Sequence, residues 1–158
     1  MPFVGSHGLG VDLTRAVNSS TGDMDVLELG SVVLGDDGNV YRFILAGEAL
    51  EQYEPVNYTS AYSATAVDVN EAFFGVTLVA LASGEYGWIC EKGMCTAQVT
   101  GSMTSGTLLK PVADAEGVIA AAIDIDEGGA TAHGIGDSTV CGQALSAESG
   151  GTATVKLF

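Results

Sequence analysis

Polar and apolar positions alternate along this chain in short runs, and turn-forming clusters separate the runs. From residue 26 the stretch VLELGSVVLGDDGNVYRFILAGE holds two runs of β-branched and aromatic residues. Between them lies GDDGN, with Gly38 where a positive φ costs little, so the pattern predicts a hairpin with strands near 29–34 and 40–46. In its second strand Tyr41, Phe43 and Leu45 fall on one face, and Val40, Arg42 and Ile44 on the other. GEALEQYE offers one or two helical turns but is too short and uncapped to stand as a helix alone. PVNYTSAYSATAV reads as an extended piece opened by Pro55. FFGVTLVALA (73–82) is the most apolar segment, and its composition predicts a strand buried on both faces. Turns at 83–85 and at Lys92-Gly93 then make residues 73–100 a three-stranded meander.

The remaining third mixes short β runs with Gly-rich turns. VIAAAIDID is nine residues long and flanked by Gly117 and Gly128, which favours a strand over a helix. The final GTATVKLF alternates cleanly: Ala153, Val155 and Leu157 on one face, Thr152, Thr154, Lys156 and Phe158 on the other. Short strands spaced by about 8–12 residues point to an all-β barrel or sandwich. Residues 1–22 are rich in Gly and Ser and read as an N-terminal arm or irregular lead-in, which lies along a neighbouring subunit or is loosely held. Residues 23–158 then form a single β domain.

Charge narrows the function. Twenty acids face five bases, a net charge of −15, and the five bases are scattered. Nucleic-acid binding needs a basic patch to displace phosphate counterions, and anionic membranes repel such a body, so neither partner is expected. No apolar run is long enough for a membrane helix, and no signal peptide is seen at the N-terminus, so a soluble protein made in a reducing cytoplasm is expected. Charged residues make up only 16% of the chain. The surface is therefore largely uncharged, which points to part of it being covered in an assembly.

Candidate chemistry is sparse. CEKGMC (90–95) pairs two cysteines around Lys92-Gly93. Structural zinc takes four ligands, and Cys141, His7 and His133 are distant in sequence and form no second ligand pair. As a hairpin tip, the segment sets Glu91 opposite Met94 and Cys90 opposite Cys95, close enough for an optional disulfide. Cys141 reads as a small core residue. In DIDEGG (124–129), Asp124, Asp126 and Glu127 resemble calcium ligands, but Gly128 stands where a third oxygen ligand belongs, so a solvated acidic turn is the better reading. His133 has Gly-rich neighbours and no nucleophile elbow beside it. No catalytic constellation and no cofactor fingerprint is present, and the chain is not expected to be an enzyme.

Three segments carry a resemblance: LGSVVLGDDGNVYRFILAGEALEQYEPV (29–56), SGEYGWICEKGMCTAQVTGSMTSGTLL (83–109) and CGQALSAESGGTATVKLF (141–158). In their order, turns and Gly spacing they resemble tailed-phage capsid decoration (cement) proteins and related virion structural proteins, over about residues 27–158. The resemblance implies an all-β body, often trimeric, on the outer surface of a phage head. There it would bridge neighbouring major capsid proteins, after synthesis in the host cytoplasm. On this view partner contacts lie in the arm (Pro2, Phe3, Val4, His7, Leu9, Val11) and at exposed turn tips (Asp36, Asp37, Asn39, Lys92, Met94). The rival is a head fibre or carbohydrate-recognising β module, for which Tyr53, Tyr58 and Tyr62 are the stacking set. A cupin-like enzyme is a third reading, poorly served by two isolated histidines. Trp88, the sole tryptophan, is expected in the core.

Overall fold

A computed structural model describes residues 3–6, 9–13, 15–18, 28–68, 72–111, 117–121 and 140–158. Among them there are thirteen strands and no helix. The expected alternation is met where one face is buried. The clearest case is β13, Thr152–Leu157, whose buried positions are Ala153, Val155 and Leu157.

The lead-in carries a two-stranded antiparallel ribbon, β1 (Phe3–Ser6) and β2 (Leu9–Asp12), with Val4 opposite Val11. Leu13, just after it, is buried in the main core. β3 (Val17–Asn18) then pairs with the start of a long strand, β9 (Glu85–Thr100).

The predicted hairpin is present as β4 (Val32–Leu34) and β5 (Val40–Ala46), with Val33 opposite Tyr41. Both faces of β5 are buried: Tyr41 and Phe43 in one core cluster, Ile44 and Ala46 in another. The segment 47–54 forms no helical turn. Leu50 is drawn instead into a bridge with Leu81, and the Glu54 carboxylate accepts the Glu51 N–H at 2.6 Å. Residues 55–66 split into β6 (Pro55–Tyr58) and β7 (Ser63–Ala66), paired antiparallel across a turn that holds Tyr62 at φ 58°. The apolar run 73–82 yields only β8 (Gly75–Thr77) before the chain bends toward Leu81.

The expected turn at Lys92-Gly93 is not there. The chain runs straight through in β9, sixteen residues long, so Cys90 and Cys95 lie on one strand rather than face each other. β10 (Leu108–Pro111), β11 (Ile119–Ala121) and β12 (Gly142–Ala144) follow before β13. The pairings close two five-stranded rings that share β9. The first runs β9-β8-β6-β7-β5 and back to β9. The second runs β9-β13-β12-β10-β11 and back to β9. Closure leaves few free strand edges, which is how small antiparallel proteins avoid unplanned pairing.

Ile44, Val56, Ala64 and Ile89 fill the first ring. A larger cluster fills the second ring and continues over the outside of the first, from Leu109, Ile119 and Val155 to Tyr41, Phe43 and Trp88. Trp88 is in the core as expected, its ring 5.1 Å from that of Phe43.

Candidate partner-binding site

Five of the residues expected to meet a partner come together. The turn that carries Asp36 and Asp37 packs against β9 at Lys92–Met94, and Asn39 makes the junction. Between Cys90 and Lys92 the register of β9 against β5 slips by one residue: Tyr41 pairs with Cys90, but Val40 pairs with Lys92. This bulge leaves Glu91 extra, and Gly93 beyond it has φ 107°, which a side chain would resist. A Cβ there would also run into Asn39.

Beyond the Val40–Lys92 pair the ladder between β5 and β9 ends, and the Asn39 amide takes its place. Its Oδ1 accepts the Met94 N–H at 2.8 Å, and its Nδ2 donates to the Met94 carbonyl at 2.8 Å. The same Nδ2 lies 3.0 Å from Asp37 Oδ2 and 3.0 Å from the Tyr41 hydroxyl, which itself donates to Asp37. Burial and the bond to Asp37 push the Tyr41 pKa well above the usual phenol range. Asn39 is only 7% exposed, so its expected place at an exposed tip is corrected: its side chain is spent inside the protein. Asp36, Asp37, Lys92 and Met94 are exposed.

Of the arm residues, Phe3, Val4, Leu9 and Val11 lie on the β1–β2 ribbon, whose first strand runs near β4. Pro2 and His7 lie outside the described residues, as do Asp124, Asp126, Glu127 and His133.

The bulge also flips the parity of β9. Trp88 and Cys90 face the large cluster before it, and Cys95, Ala97 and Val99 face it afterwards. Cys141, distant in sequence, joins the same cluster as the expected core residue. The Cys95 thiol hydrogen-bonds that of Cys90, which with burial pushes its pKa far up; burial pushes the Cys141 thiol up to about 12. The Cys95 and Cys141 thiols are therefore protonated at neutral pH and poor nucleophiles.

The tyrosine set does not form one platform. Tyr53 packs against the large cluster, and Tyr58 and Tyr62 against the core of the first ring. The Tyr58 ring stacks on Phe74 at 4.4 Å, and the Arg42 guanidinium lies 5.7 Å from Tyr58 and 5.5 Å from Tyr62. Arg42 also holds Glu91 by two bonds of 2.9 and 3.0 Å, and Tyr58 donates to Glu91 at 2.7 Å. The Glu91 bond raises the Arg42 pKa, and burial with that bond takes Tyr58 up to about 12. These groups are mutually engaged.

Phe73, Phe74, Phe158, Val140 and Cys141 line a shallow cleft together with Glu91 and Lys92. Its volume of about 210 Å³ is below the range typical of small-molecule sites. Nothing local in the sequence marks it, because its walls come from β9 and from the flanks of β8, β12 and β13.

No family model matches the chain, and no curated protein does. Among solved structures, the N base of head fiber gp8.5 from bacteriophage phi29 is similar. It matches 76% of this chain and 94% of its own, with a TM-score of 0.56 and 14% identity. At that identity the likeness is one of fold.

Proposed function

We propose that this chain is a structural protein of a tailed-phage head, mounted on the outside of the shell by contacts to the major capsid protein. The observation that carries the reading is the shared fold with a head-fibre base over nearly all of that domain. The sequence resemblance to head decoration proteins, noted above on other grounds, supports the same location. On this reading the protein is a homo-oligomer, a trimer by analogy with decoration proteins, and acts by binding alone. It takes up no nucleic acid and no membrane. Holding a shell requires contact area, shape match and multivalency, and a double ring of short strands is a stiff body for that work.

Two versions of the role differ in consequence. A cement protein bridges neighbouring capsid subunits and resists internal pressure. A fibre base anchors an appendage and need not strengthen the shell; the phi29 neighbour favours this second version. The test is to add purified protein to heads of the same phage that lack it, sediment them, and follow thermal release of DNA with a dye. Saturable co-sedimentation with a higher release temperature supports bridging. Saturable binding with an unchanged release temperature supports the base. Absence of binding overturns the head assignment. Deleting residues 1–11 is expected to weaken binding while the β body keeps its circular dichroism, and undiminished binding would remove the arm from the interface.

A further inference from the structure

The strands of the two rings differ in the charges they carry: those of the first hold Glu85, Glu91 and Arg42. The strands of the second ring, taken as Gly93–Thr100 of β9 with β10, β11, β12 and β13, contain no Asp or Glu. Yet they carry Lys110 and Lys156, two of the five bases in a chain of net charge −15, and Lys92 lies just before them on β9. Arg42, on the first ring, is already neutralised by Glu91.

Register shows how the outer face of this ring is laid out. Met94 is opposite Lys156, Lys156 opposite Gln143, and Gln143 opposite Leu108, one continuous row across four adjacent strands. Met94 is 58% exposed and Leu108 44%. Leu145, Val140 and Phe158 are exposed at the ends of the same strands, so five of the seven large apolar side chains exposed among the described residues belong to this ring. Among the described residues, this row of exposed apolar side chains and a lysine, on strands that carry no Asp or Glu, stands out in a strongly acidic chain.

We propose that this face is where copies of the chain meet. Two bodies of charge −15 repel at long range, and a row that carries a lysine and no carboxylate of its own is where they approach at lower cost. The contact also has its own charge complement. The turn with exposed Asp36 and Asp37 is fastened beside Met94 through Asn39, so it borders the row. Lysines from one copy then face this acidic turn on the next, while Met94 and Leu108 are covered between them. Such self-complementarity is what closed homo-oligomers require. The assignment deepens the homo-oligomer part of the proposed function, and its test does not depend on any capsid.

The experiment is the mass of the full chain in solution by light scattering as salt is raised through about 0.15 M, where the Debye length is about 8 Å. The expected mass is a whole-number multiple, at least two, of 16.0 kDa, favoured by salt because screening weakens the net repulsion. Met94→Glu combined with Leu108→Glu is expected to give the single-chain mass with an unchanged melting temperature, since both side chains are exposed. Lys156→Glu should weaken association by about tenfold or more, because like charges then face each other. Ser60→Glu, exposed on the first ring, should leave the mass unaltered. A single-chain mass for the native sequence at all salts overturns the proposal, as does an oligomer that survives the double variant. A monomer whose double variant loses head binding also overturns it and assigns the face to the shell. If the native chain is an oligomer yet binds no heads, the face stands and the head assignment falls.

Discussion

Replacing Asn39 by Ala tests whether the long shared strand depends on a side chain that substitutes for a missing backbone. The native amide makes two bonds to the Met94 backbone, both 2.8 Å, and shares its second N–H between Asp37 and Tyr41. Ala removes all of these and leaves the Met94 N–H and carbonyl without their partner at a 7%-exposed position. A net hydrogen bond is worth about 1 kcal/mol, and a buried polar group left unpaired costs about 1–3 kcal/mol. Water reaches part of this site because Met94 is exposed, so we predict a loss of about 2–4 kcal/mol in unfolding free energy. For a chain of this size that is a fall in melting temperature of roughly 5–15 °C. Asn39→Asp should cost at least as much at neutral pH. It replaces a donor with a carboxylate that faces the Met94 carbonyl and the Asp37 carboxylate. Asp36→Ala, in the same turn but exposed, is the control and should change stability by less than about 0.5 kcal/mol. Chemical denaturation monitored by Trp88 fluorescence reads all three. If Asn39→Ala unfolds within about 0.5 kcal/mol of the native protein, the amide is not what holds β9 beyond the bulge.

Gly93→Ala is expected to cost about 2 kcal/mol or more, because φ is 107° and the added methyl meets the Asn39 side chain; thermal melting checks it. Arg42→Lys keeps the charge but loses the two-pronged grip on Glu91 and the planar contact with Tyr58 and Tyr62, so a loss of about 1–2 kcal/mol in urea denaturation is expected. Cys141 is neutral when buried, and its folded pKa of about 12 lies above the ordinary thiol value of 9. Its contribution is therefore complete below about pH 9 and is lost as pH rises toward about 12. Urea midpoints should fall across that window, and Cys141→Ala should flatten the fall.

How far the sequence foretold this depends on whether the determining contact is local. The β4–β5 hairpin was legible because GDDGN and its flanking alternation contain everything the turn needs. β13 was legible because one face is buried and the other wet, so burial follows the written alternation. Lys92-Gly93 misled because a Gly after Lys serves equally for a tight turn or for a bulge. What decides between them is Asn39, 55 residues from Met94, and no local pattern records it. GEALEQYE had helical composition but was overruled by the bridge between Leu50 and Leu81. The apolar run 73–82 looked like one strand. Only Gly75–Thr77 pairs on both sides, while Phe73 and Phe74 turn to the cleft. For the candidate site, exposure of Asp36, Asp37, Lys92 and Met94 was readable as turn chemistry even though the turn at 92–93 is absent. The acid-free strands were also visible as a charge pattern, but only register shows that Met94, Lys156 and Leu108 form one row.

The bulge, Gly93 and Asn39 are best understood as one device. A strand shared by two rings must serve both cores, and a regular strand keeps its odd residues on one face. Ile89 points into the first ring, while Trp88 and Cys90 point to the larger cluster. Continued without interruption, that parity would turn Cys95, Ala97 and Val99 away from the larger cluster and expose them. One extra residue at Glu91 reverses it, so all three join Trp88 and Cys90. The reversal needs a backbone conformation that Gly93 supplies, and it opens a gap in the ladder that the Asn39 amide fills. The same residue count places Met94 outward and ties the Asp36–Asp37 turn beside it. The device that joins the two cores thus also fixes the acidic turn next to the Met94–Lys156–Leu108 row, so the two halves of the proposed contact are held in a constant relation by the fold itself.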